Sequence, residues 1–222
     1  MDKLDQLGLA NDTIVVFTSD NGPHNEGGHQ VEFFNSSGPF RGWKRSLYEG
    51  GIRVPLLVRW PGRIQANITT NQASWFPDFY KTFAEIANIG HLVPDNATDG
   101  ISLMDVLVPG RVATQTTSPK DRVLYWEFCT YQKSTPKWGQ AVRQGDWKLV
   151  SLDRPNQPWE LYNLEDDPGE TSNLASQNAL LVQKLEAEAM RAHVDDPNWP
   201  TGRSCLPSDS FERSMSLALD FS

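Results

Sequence analysis

Basic charge, cysteine and long apolar runs are all scarce in this chain. Its 20 Lys and Arg stand against 28 Asp and Glu, a net charge of −8 over 222 residues. That balance excludes a general nucleic-acid binder, which needs a basic face to release counterions from phosphate. The 2 cysteines, Cys129 and Cys205, cannot build a disulfide framework, and their separation excludes a C-x-x-C zinc site. No stretch reaches the ~18–20 apolar residues that a membrane span requires. The opening residues, Met1 to Leu9, lack the basic start and apolar centre of a signal peptide.

What is present suffices to fold. Hydrophobic residues are 38% and charged residues 22%, which fits one large or two small packed domains rather than a disordered chain. No internal repeat is visible. Leu4 and Leu7 share one face of a short amphipathic helix, with Gly8 near its stop. A helix tail that runs at once into a strand predicts that the chain begins inside a domain.

That first strand is Thr13-Ile14-Val15-Val16-Phe17-Thr18. A continuous β-branched and aromatic run fits a central parallel strand buried on both faces. Ser19-Asp20-Asn21-Gly22-Pro23 ends it. Polar residues at the carboxyl end of such a strand are where open α/β sheets bind ligands. Residues 24–46 form a long polar, glycine-rich loop, a length that is usually functional or disordered. A second buried strand is expected over Ile52–Trp60, closed by Pro61-Gly62. A helix is expected over 75–89, with Phe79, Phe83 and Ile86 on one face, Asp78 in the first turn and Gly90 after the end.

The composition shifts after about residue 110. Thr114–Lys120 reads as a linker and Val123–Phe128 as a strand. Gln140–Arg143 and Trp147–Leu152 flank Gln144-Gly145-Asp146, a hairpin signal. Trp159–Leu164 adds a further strand and Ser176–His193 a helix. From Asp195 no period is visible. The expected organisation is therefore 1–113, the later part of an α/β domain; 114–194, a small antiparallel α+β subdomain; and 195–222, an irregular tail.

Two segments carry chemistry. Asp20 and Asn21 offer oxygen ligands side by side, which suits a hard cation such as Ca²⁺ or Mg²⁺ better than zinc. Asp-Asn-Gly is equally a good turn, and two ligands need partners from elsewhere. Lys44 projects from a glycine-flanked loop, Gly42-Trp43-Lys44-Arg45, where an ammonium can serve an anion as a point charge. The bland reading is a surface basic cluster with a Gly50-Gly51 turn. Arg53, expected inside a strand, calls for a carboxylate partner. Asn11, Asn35, Asn67 and Asn96 head N-x-S/T sequons, glycan acceptors in a secreted eukaryotic chain, with Asn11 the weakest because it adjoins a buried strand.

Together these segments resemble the sulfatase family. The resemblance rests on Thr18–Pro23, then Gly42–Pro55 with its Tyr48-Glu49-Gly50-Gly51 run. Trp60–Ile64, Asp99–Leu103, Ala141–Leu149 and Glu160–Glu170 continue it in the same order, across residues 1 to about 193. It implies an alkaline-phosphatase-like α/β fold, a mixed sheet with flanking helices followed by the antiparallel subdomain. It implies that Asp20 and Asn21 ligate a divalent cation, Ca²⁺ with Mg²⁺ as the alternative, and that Lys44 contacts the substrate sulfate. It gives His24 and His29 no role, and exposed loop histidines are the favoured reading. The implied activity is hydrolysis of a sulfate ester, on a sulfated small molecule or glycan, in a family that is usually exported.

The implied nucleophile is a formylglycine made from the cysteine of a C-x-P-S-R motif. Cys205-Leu206-Pro207-Ser208 imitates that motif, but Asp209 stands where arginine is required. No catalytic residue is therefore expected in this chain, and turnover by residues 1–222 alone is not expected. Two rivals share part of the signal. One is a phosphoric or phosphonic ester hydrolase of the same superfamily; the lysine and Tyr-Glu-Gly-Gly block favours the sulfatase. The other is a noncatalytic chain that binds metal or anionic glycans.

Overall fold

The computed structural model describes residues 1–94, 96–108, 110, 122–130, 137–154 and 156–196. The expected linker and most of the tail, including Cys205, lie outside the described residues. The chain divides into two compact units: Met1–Asp20 with Val54–Arg122, and Asn21–Arg53 with the segment from Val123 onward.

In the first unit, helix α1 (Asp2–Gln6) stops at Gly8, whose φ of 68° a side-chain-bearing residue resists. Strands β1 (Val15–Thr18) and β2 (Leu56–Arg59) pair antiparallel, with Val15 opposite Arg59 and Thr18 opposite Leu56. This corrects the expectation of a parallel strand buried on both faces. The pair is half-covered, and Phe17 is 64% exposed. A β-branched run reports extended backbone, but it does not name the neighbour or what covers it. The second strand is also shorter than expected. Pro55 lacks the N–H that a ladder needs, so pairing begins at Leu56.

Helix α3 (Pro77–Ile86) carries Pro77 at its first position, where a missing N–H costs nothing. Helix α2 comes earlier in the chain, at Glu49–Ile52, in the second unit. Phe79 and Phe83 stack on one another, but Phe83 remains exposed. The buried positions of α3 include Asp78 and Thr82. Asp78 receives both Nη atoms of Arg122 at 2.8 and 2.9 Å and the backbone N–H groups of Trp75 and Ile101. Thr82 Oγ1 accepts from the Leu103 N–H at 2.8 Å. Gly100 lies so near that a Cβ would stand 2.1 Å from the Pro77 carbonyl oxygen. These contacts pin the Asp99–Leu103 block to α3, just ahead of the single turn α4 (Met104–Leu107).

The second unit is built on a four-stranded antiparallel sheet in sequential order, β3 (Val123–Thr130), β4 (Lys137–Gln144), β5 (Trp147–Ser151) and β6 (Glu160–Asn163). The expected hairpin is present, with Gln144 opposite Trp147 and Gly145 at a φ of 60°. Both faces of the sheet are covered, and period-two alternation shows it. Ala141, Val150 and Tyr162 pack with Leu47 and Tyr48. Their neighbours Val142, Leu149 and Leu161 pack instead with Leu185 and Ala189 of helix α5 (Ala179–Ala192). The Leu47–Ile52 stretch thus lies over one face and α5 over the other. Among the described residues no helix is long and apolar enough to cross a membrane.

Candidate functional site

The segments that carried chemistry in the sequence meet around two glycines. Helix α2 opens with buried Glu49, Gly50 and Gly51. The Gly22 N–H donates to Gly51 O at 3.0 Å, and the Gly50 N–H donates to Arg41 O at 2.8 Å. The Lys44 N–H donates to Pro23 O at 2.8 Å, and the Ser46 N–H to Trp43 O at 2.9 Å. Three backbone stretches, at 21–23, 41–46 and 48–52, are thereby laced together.

No side chain fits between them. A Cβ on Gly22 would stand 1.9 Å from Gly50 O, one on Gly50 2.1 Å from Gly42 O, and one on Gly51 2.1 Å from Ser46 O. The Gly-Gly pair is therefore needed for close backbone approach, not for a loose turn. Arg45 sits at a φ of 73° and Gly42 at 80°, so the lysine loop is sharply bent.

Charged side chains lock this lacework to the sheet. Lys148 on β5 is wholly buried, on the same face as Val150. Its Nζ lies 2.9 Å from Glu49 Oε1 and 2.9 Å from Glu170 Oε1. The other oxygen of Glu170 accepts the Glu49 N–H at 2.6 Å. Arg143 and Arg53 approach Glu49 Oε2 at 3.6 and 3.7 Å. Burial raises the Glu170 pKa against the pull of Lys148. Arg53 thus has the carboxylate partner expected of it, but it lies between α2 and β2 rather than inside a strand.

Arg41 forms a second lock. It donates to the Tyr162 hydroxyl and the Glu170 carbonyl, both at 3.0 Å, and lies over the Tyr48 ring at 3.7 Å. Tyr48 and Tyr162 both donate to Glu160 Oε2 at 2.6 Å. Burial and that carboxylate push both phenols well above their ordinary pKa.

Asp20 ends the N-terminal segment of the first unit and is exposed; Asn21 opens the second unit and is half-buried. Lys44 is half-buried in the bent loop. His24 Nδ1 accepts the Glu26 N–H at 2.9 Å, and His29 pairs with Ser36 Oγ and stacks on Phe34. Both histidines serve their own loop. An Asp-Asn pair suits an all-oxygen cation site as part of a shell. Among the described residues, no cluster of three or more His, Cys, Asp or Glu completes one. Lys148, Glu49 and Glu170 lie in the blocks that carry the family resemblance, with no role expected of them. A lysine sharing the strand parity of buried Val150 was the available signal.

The C-terminal model of N-sulphoglucosamine sulphohydrolase matches residues 40–196. The chain belongs to the sulfatase family. A sulfatase of Formosa agariphila is 36% identical over 206 residues, covering 88% of this chain and 35% of that protein. The steryl-sulfatase of Rattus norvegicus is 36% identical over 248 residues, covering 92% and 42%. A solved structure in complex with its substrate D-glucosamine-2-N,6-O-disulfate superposes at a TM-score of 0.62 with 26% identity, over 86% of this chain and 36% of that one. The chain therefore spans well under half the length of the sulfatases it matches. The alkaline-phosphatase-like α/β fold expected of the family holds, including the antiparallel subdomain.

Proposed function

We propose that residues 1–222 are the C-terminal portion of an enzyme that hydrolyses sulfate esters, and that they contribute substrate and metal contacts. Lys44 binds a sulfate oxygen. Asp20 and Asn21 supply two of the roughly six to eight oxygens that calcium takes. The supporting observation is the glycine lacework, which holds the Lys44 backbone against Pro23, two residues from Asn21. A bound calcium would offset charge on the sulfate oxygens. In the same way, an ammonium held by a rigid loop acts where charge develops, at little reorganisation cost. Formylglycine, the family's nucleophile, has no counterpart in the Cys205 segment. The substrate class is a sulfated sugar or small sulfate ester, and the compartment is an exported one.

The exposed sequon residues Asn11, Asn35, Asn67 and Asn96 agree with glycosylation in such a compartment. The test uses a complete sulfatase containing this chain, assayed on an aryl sulfate, a 6-O-sulfated glucosamine and the matching phosphate and phosphonate esters, with and without calcium. Calcium-dependent sulfate release is expected. Preference for the phosphonate ester would overturn the reading.

A further inference from the structure

We propose that Lys148 is a positioning residue for Lys44, acting through Glu49 and the glycine pair. The inference rests on reading Lys44 as the sulfate contact. A fully buried ammonium between two carboxylates is costly to desolvate, and an apolar residue of that size would pack as well. The position of this one explains its presence. Its partner Glu49 is the first residue of α2, and Glu170 holds the Glu49 N–H from the other side. Glu49 is thus held at both its carboxylate and its backbone.

The next two residues transmit that fixation. Gly50 hydrogen-bonds Arg41, and Gly51 is in close contact with Ser46 O and Trp43 O. Arg41, Trp43 and Ser46 bracket Lys44. A displacement of α2 therefore has to displace the loop, because there is no free space between them. Glu170 is itself held rigidly. It sits at a φ of 53°, and its N–H donates to Asp167 O at 3.1 Å. The Asp167 carboxylate gathers the N–H groups of Thr171 and Ser172 at 2.8 Å each. A misplacement of about 1 Å in a substrate-binding group costs on the order of 100-fold in rate. Removing the ammonium therefore acts on catalysis at a distance from the sulfate.

The experiment is a double-mutant cycle in a complete sulfatase containing this chain, with Lys148→Met and Lys44→Ala read as kcat/KM and as inhibition by inorganic sulfate. Residues that act through one another are not additive. Lys148→Met is expected to lower kcat/KM by about 10- to 100-fold in the wild-type background. It should weaken sulfate inhibition there and cost less than about 3-fold in the Lys44→Ala background. Arg143 and Arg53 remain beside Glu49, and Glu170 keeps the Glu49 N–H. If Lys148→Met fails to fold, Glu170→Ala takes its place in the same cycle. Equal losses in both backgrounds, or no loss in the wild type, would overturn the positioning role. Full activity in Lys44→Ala alone would instead overturn the sulfate-contact reading.

Discussion

Gly22 donates its N–H to the carbonyl of Gly51 at 3.0 Å, and a methyl group on Gly22 would fall 1.9 Å from the oxygen of Gly50. The two residues are far apart in the chain and touch backbone to backbone. This contact joins the end of the Asp-Asn pair to the Glu-Gly-Gly turn.

Gly51→Ala is expected to destabilise the second unit by about 3 kcal/mol or more, because backbone rather than a flexible side-chain tip blocks the methyl. Urea unfolding of the purified chain measures it. A loss below about 1 kcal/mol would show that the lacework can open at little cost.

Lys44→Ala in the complete enzyme should lower kcat/KM by orders of magnitude, since a charge aimed at sulfate acts most strongly on the desolvated transition state. Lys44→Arg should rescue poorly, because a planar fork does not replace a compact ammonium in a bent loop. Steady-state kinetics on one sulfate ester decides both.

Asp20→Ala in the complete enzyme should weaken calcium binding and abolish turnover while far-UV circular dichroism stays unchanged. Isothermal titration with calcium is the measurement. Unaltered affinity removes Asp20 from the metal shell.

Asp167 gives a pH dependence. Desolvation alone would raise its pKa, but the N–H donors of Ser172 and Thr171 outweigh that and hold it below the ordinary carboxylate value. A depressed folded-state pKa stabilises above the unfolded pKa, and the gain is lost as pH falls through the folded one. The native chain should therefore lose more stability than Asp167→Asn between neutral pH and about pH 3. Urea midpoints across that range test it, and parallel curves would refute it.

Breaking the Asp78–Arg122 pair should be costlier than any surface change. Arg122→Leu leaves a buried carboxylate that still accepts two backbone N–H groups, and a loss of about 3–5 kcal/mol is expected. Thermal unfolding measures it, and a change within about 0.5 kcal/mol would mean that the two N–H donors suffice.

Much of the second unit was legible from local signals. The Gln144–Trp147 hairpin follows from Gly145 between two alternating runs, and α5 follows from its apolar spacing. Glycine and period-two patterning act over a few residues, so a sequence reader sees them directly. The family, too, was carried by short ordered blocks.

Neighbours across the chain were not legible in the same way. The run at Val15–Thr18 required a strand, yet only the fold paired it antiparallel with Leu56–Arg59. Gly50-Gly51 looked like a turn, and only the approach of 21–23 and 41–46 made those glycines obligatory. Lys148 falls within an expected strand, and only the fold brought Glu49 and Glu170, 99 residues before it and 22 after, onto its ammonium. Propensity and patterning belong to single segments and were determined by the sequence alone. The pairing of strands, the burial of a charge and the room left for a methyl group depend on which distant segments are brought together, and only the tertiary structure decided those.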